Sequence, residues 1–145
     1  MDNVLVCVPL RPSHPHIDLS TQQSIDALQW HGRLDVLHLG SVGGKNHYDD
    51  LADKLNWGKE VTLAGGYDAM LIVEADMLLP KTALLGLSGG DCDIAYGTYC
   101  SRRNGHPWLV FGALQGDAYT FLPVDLLRAG GWVQTAGVGT VSYTH

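Results

Sequence analysis

Residues 68–75, DAMLIVEA, carry their apolar side chains in an unbroken run rather than in alternation. A strand of that kind has both faces out of water, which is the pattern of a parallel sheet with helices packed on either side. The flanking sequence supplies such partners. NVLVCVPL (residues 3–10) is short, β-branched and apolar, and the RPSHP that follows cannot continue a strand. STQQSIDALQWHG (20–32) predicts a helix with Ser20 or Thr21 at its N-cap, apolar Ile25 and Leu28, and Gly32 as its stop. RLDVLHLG (33–40) is a second strand, and SVGGKN (41–46) a Gly-rich loop.

The strongest helix signal lies in residues 46–66. Asn46 can cap it, Asp49 stands three residues later like the acidic half of a capping box, and Gly65-Gly66 ends it. Tyr48, Leu51, Ala52 and Leu55 recur at helical spacing and predict the buried stripe. The run 68–75 should then be the central strand. Pro80 stands where a further helix begins, KTALLGL (81–87) is its body, and CDIAYGTY (92–99) is another strand. After Gly97 the pattern changes: Asn104-Gly105 is a preferred hairpin turn, which predicts an antiparallel excursion near residues 97–122. Pro123 opens a short helix in TFLPVDLLRAGGW. The expected fold class is α/β, a mainly parallel central sheet flanked by helices, in a single domain spanning 1–145.

Charge and cysteine usage exclude several functions. The net charge of -6, with Arg102-Arg103 as the only adjacent basic pair, excludes a nucleic-acid partner, which needs clustered Lys and Arg. Cys7, Cys92 and Cys100 are odd in number and lack CxxC spacing, so the expectation is a reducing, cytoplasmic setting without a disulfide framework. No apolar run is long enough for a transmembrane segment.

The chemistry points to the end of the apolar run, where Glu74 and Asp76 are separated by one alanine. Ligands of open parallel sheets bind at the carboxyl ends of the strands. In extended backbone, residues two apart point to the same side, so both acids would face one site while Ala75 turns away. Two carboxylates suit hard Mg²⁺ or Mn²⁺, whose remaining ligands come from phosphates and water.

The run NWGKEVTLAGGYDAMLIVEADMLLPKTALLGLSGGDCDIAYGTYCSRR (56–103) resembles the nucleotide-sugar-binding part of family 2-like glycosyltransferases with the Rossmann-like GT-A nucleotide-diphospho-sugar transferase fold. The resemblance rests on an Asn-containing helix, a strand ending in a DxD-type motif, and a proline and helix after it. The motif here is Glu74-Ala75-Asp76, with Glu in place of the first Asp. The resemblance implies transfer of a sugar from a UDP- or GDP-type donor to a glycan, protein or lipid acceptor. It implies Mn²⁺ or Mg²⁺ held by Glu74 and Asp76, and a donor site that includes Pro9, Arg11, Asn56, Lys59 and Asp76. The family's general base comes from a later ED-type segment. Asp117 and Asp125 are the only later acids here and lack that context, so the expectation is a domain incomplete at its C-terminus.

Two other readings are carried. A sugar nucleotidyltransferase should show a Gly-rich loop with a basic residue after the first strand, and PLRPSHPH has no glycine. A non-catalytic nucleotide- or glycan-binding module fits the missing base. His14 and His16, flanking Pro15 in a loop, are assigned no role.

Overall fold

The computed structural model describes residues 1–41, 46–90, 93 and 95, and the strands 111–115 and 118–121. The chain divides into two compact units, Met1–Gly89 and Gly90–His145. The first contains β1 (Asn3–Pro9), α1 (Leu19–Asp26), β2 (Arg33–Leu39), α2 (His47–Ala64), β3 (Ala69–Ile72) and α3 (Ala83–Ser88). Its three strands form a parallel sheet in the order β2-β1-β3. The expected α/β alternation is present.

The central strand is β1, not the run 68–75. β1 pairs along its whole length with β2, from Asn3 opposite Arg33 to Pro9 opposite Leu39, and β3 pairs with it only from Val4–Ala69 to Cys7–Ile72. Among the described strands β3 is therefore an edge. Its apolar run is longer than its ladder because Val73 and Ala75 fill the core after the strand has ended, beside Val6, Val8, Leu10 and Ile25. The unbroken apolarity of 68–75 records burial, and only part of it is strand.

Period-two alternation in β1 builds two cores. Val6 and Val8, with Leu10 beyond the strand, face Ile25 of α1, while Leu5 and Cys7 face Leu39, Val61 and Met70 on the side of α2. Burying each such aliphatic side chain contributes about 1.5–3 kcal/mol. Burial also pushes the Cys7 thiol up to about 11, which makes it a packing group rather than a nucleophile.

Helix α1 starts earlier than the N-cap residues Ser20 and Thr21 predict. Asp18 occupies the cap position, and its side chain makes no capping bond. Its carboxylate instead meets His14 Nε2 at 2.9 Å. Thr21 lies within the helix and is fully buried. The helix ends at Asp26, well before Gly32. What requires glycine at position 32 is close approach. A Cβ there would stand 1.7 Å from the Asp2 carbonyl oxygen, so the chain enters β2 past the N-terminal backbone only because no side chain is present.

Helix α2 begins where the sequence indicates. Asn46 Oδ1 accepts from the backbone N–H groups of Tyr48 and Asp49, both at 3.0 Å. At its other end Gly66 takes a φ of +68°, a left-handed conformation suited to glycine. The buried stripe, however, is Asp50, Lys54, Gly58 and Thr62. Of the expected stripe, Leu51 and Leu55 are half-buried and Tyr48 and Ala52 are exposed. Close approach decides this rotation: a Cβ at Gly58 would lie 3.0 Å from Cys7 Sγ and 3.3 Å from Met70 Sδ. The helix rests on the sheet through its one residue without a side chain. Thr62 satisfies its hydroxyl by donating to the Gly58 carbonyl at 2.7 Å.

In the second unit, β4 (Phe111–Gln115) pairs antiparallel with β5 (Ala118–Phe121), inside the segment where an antiparallel excursion is expected. The Asn104-Gly105 turn, the helix opening at Pro123 and, apart from Asp93 and Ala95, the strand 92–99 lie outside the described residues. Among the described residues, no helix is long and apolar enough to cross a membrane.

The packing gives a contrasting pair of glycines. Gly58→Val should cost about 1–3 kcal/mol by overpacking α2 against the sheet. Gly86→Ala, in α3 with nothing within 4 Å of the added Cβ, should gain up to about 1 kcal/mol from helix propensity. Urea midpoints of the two variants against the parent check both signs.

Candidate functional site

Because β1, β2 and β3 are parallel, the loops leaving Pro9, Leu39 and Ile72 emerge at one edge of the sheet. At that edge the chain after β1 turns sharply. The Arg11 N–H donates to the His14 carbonyl at 3.2 Å and the His14 N–H returns the bond to Arg11 at 2.9 Å. The chain after β3 also turns, with the Met77 N–H donating to the Glu74 carbonyl at 3.1 Å. The two loops are joined by the Asp18 N–H, which donates to the Ala75 carbonyl at 2.9 Å.

Glu74 and Asp76 thus sit on a turn, not on extended backbone, and the shared-face argument from strand geometry does not hold for them. Ala75 between them is buried in the core. Its anchoring fixes the turn, with Glu74 half-buried and Asp76 exposed. Burial first, and then the neighbouring Asp76 charge, pushes the Glu74 carboxyl above its ordinary range, while the Arg11 guanidinium pulls it back. Glu74 is therefore within electrostatic reach of both Arg11 and Asp76, and Pro9 precedes Arg11 at the end of β1.

The other two donor-site candidates stand elsewhere on the surface. Asn56 and Lys59 are both exposed on α2. The helix runs down from the carboxyl edge, with Lys54 level with Leu10 and Gly58 level with Cys7. Lys59 therefore lies beyond Gly58, toward the middle of the sheet, and Asn56 between Lys54 and Gly58. Asp35, inside β2, is engaged locally: the Tyr67 hydroxyl donates to it at 2.6 Å and Arg33 Nε lies 2.5 Å away. The Tyr67 bond, followed by the Arg33 charge, holds its carboxyl below the ordinary range.

A buried ion pair at the same edge escaped sequence reasoning. Lys54, only 4% exposed, meets the carboxylate of Asp50 one turn earlier and donates to the Leu10 carbonyl at 2.5 Å. The Ser41 hydroxyl, just after β2, donates to the other Asp50 oxygen at 2.7 Å. In the sequence an Asp and a Lys four residues apart on a helix read as a solvated pair. The signal available was the spacing of Asp50 and Lys54 with Gly58, since a glycine in mid-helix marks a face that something approaches closely.

Two carboxylates suffice for Mg²⁺ or Mn²⁺, which keep water and take phosphate oxygens for the remaining positions. The donor set fits that use: a divalent cation would relieve the like-charge repulsion between Glu74 and Asp76. No cluster of three or more His, Cys, Asp or Glu suited to a metal occurs among the described residues. Searches against protein-family models, curated proteins and solved structures return no significant match to the chain.

Two outcomes are expected. Glu74→Gln should raise the thermal midpoint at pH 7 in metal-free buffer and leave it nearly unchanged at pH 4. The folded-state carboxyl titrates above its ordinary value, so the stability it contributes is present below the unfolded pKa and lost as pH rises through the folded one. Lys54→Met should cost about 3–5 kcal/mol in chemical denaturation, because it breaks a buried ion pair by removing one partner.

Proposed function

We infer that the chain carries the donor site of a metal-assisted glycosyltransferase of the GT-A type, which moves a sugar from a nucleotide-diphosphate donor to an acceptor hydroxyl. The observation that carries this reading is the turn after β3. It presents Glu74 and Asp76 at the carboxyl edge of a parallel sheet, with Glu74 within electrostatic reach of Arg11 on the loop after β1. The resemblance of residues 56–103 to family 2-like glycosyltransferases supports the choice of reaction.

In this mechanism Asp76 and Glu74 would hold Mn²⁺ or Mg²⁺, which when bound would offset the charge that develops on the leaving diphosphate. Arg11 adds a guanidinium, whose planar fork suits phosphate oxygens. The Glu74 carboxyl, raised by burial and by Asp76, must be ionised to serve as a ligand, so donor binding should strengthen as pH rises through its titration.

Calorimetric titration of UDP and then GDP, with and without Mn²⁺, tests the reading. Metal-dependent binding that Asp76→Ala abolishes is the expected result. Binding that ignores both metal and mutation would assign the acids a structural role. Binding without turnover of any candidate sugar nucleotide would favour a recognition module over an enzyme.

A further inference from the structure

A buried ion pair is a poor source of stability, because the cost of desolvating two charges rivals their attraction. The Asp50–Lys54 pair nevertheless fills the top of the face that α2 turns to the sheet. Its contacts run beyond the helix. The Lys54 ammonium bonds the Leu10 carbonyl at the end of β1, and Asp50 takes the hydroxyl of Ser41 after β2. The Leu10 N–H is meanwhile bonded to the Leu39 carbonyl at 3.0 Å, and its side chain is buried in the core. Leu10 is thereby held through its N–H, its carbonyl and its side chain. The next residue is Arg11, whose backbone begins the reciprocal turn with His14.

We propose that Lys54 is the positioning residue of this site: by binding the Leu10 carbonyl while its charge is balanced by Asp50, it sets the loop that delivers Arg11 to the phosphates of a nucleotide diphosphate. The proposal rests on the donor-site reading above and adds to it a group that touches no ligand. An ammonium suits this role because it donates to a carbonyl and a carboxylate together, which no apolar residue of similar length does. Misplacing a phosphate-binding guanidinium by even about 1 Å is enough to lose binding geometry.

The double variant Asp50→Leu/Lys54→Met separates positioning from folding. Exchanging both charges for apolar side chains keeps the volume filled and should leave the thermal midpoint near that of the parent, but it deletes the bond to Leu10. Hydrogen exchange by NMR reads the Arg11 and His14 amides, and calorimetry reads UDP affinity with Mn²⁺. The expected result is lost protection at those two amides and about tenfold weaker UDP binding, with no further loss when the change is made in an Arg11→Ala background. Retained protection would overturn the proposal, as would an equal loss of affinity with and without Arg11. If the parent chain binds neither UDP nor GDP, the donor-site reading falls, and the exchange result still decides whether Lys54 sets the loop.

Discussion

Helix α2 approaches the sheet so closely at Gly58 that a single added carbon would crowd Cys7 and Met70. The position of that contact decides which other residues of the helix are buried. Residues one turn and two turns toward the N-terminus, Lys54 and Asp50, must lie on the same face, and so must Thr62 one turn the other way. Each is polar and is bonded: Lys54 to Asp50 and to the Leu10 carbonyl, Asp50 also to the Ser41 hydroxyl, and Thr62 to the Gly58 carbonyl. The helix is thus seated by a glycine in the middle and by polar bonds on both sides of it, with Leu51, Leu55 and Val61 half-buried at its flanks.

The same seating organises the carboxyl edge. With Lys54 level with Leu10, the first turns of α2 reach the loops after β1 and β2, and the candidate acids arrive from β3 on the other side of the central strand. Their turn is held by the core through Val73 and Ala75 and by the bond from Asp18. The turn that carries both acids is thus fixed through Ala75. Burial, and then the Asp76 charge, raise the Glu74 carboxyl above its ordinary range.

Much of this was legible in the chain. The alternation of strands and helices, the limits of β1 and β2, and the Asn46 cap follow from local patterning, because backbone geometry and capping bonds depend on residues within a few positions of one another. The same logic misplaced α1. Ser20 and Thr21 are good caps by type, yet the helix starts before them because packing buries Thr21 and draws Asp18 to the turn after β3. Gly32 read as a helix stop, and its reason is the backbone of Asp2, at the far N-terminal end of the chain.

By itself, then, the sequence determined that this is an α/β chain with a parallel sheet, and that two acids stand at the end of the apolar run 68–75. Tertiary structure alone decided that β1 and not 68–75 is central among the described strands, that the acids stand on a turn with Glu74 in the field of Arg11, and that Asp50 and Lys54 are buried. The division has a physical cause. Local propensity and periodicity specify elements, whereas burial and rotation of an element depend on what it meets, and a glycine's close approach outweighed the apolar stripe that α2 displays.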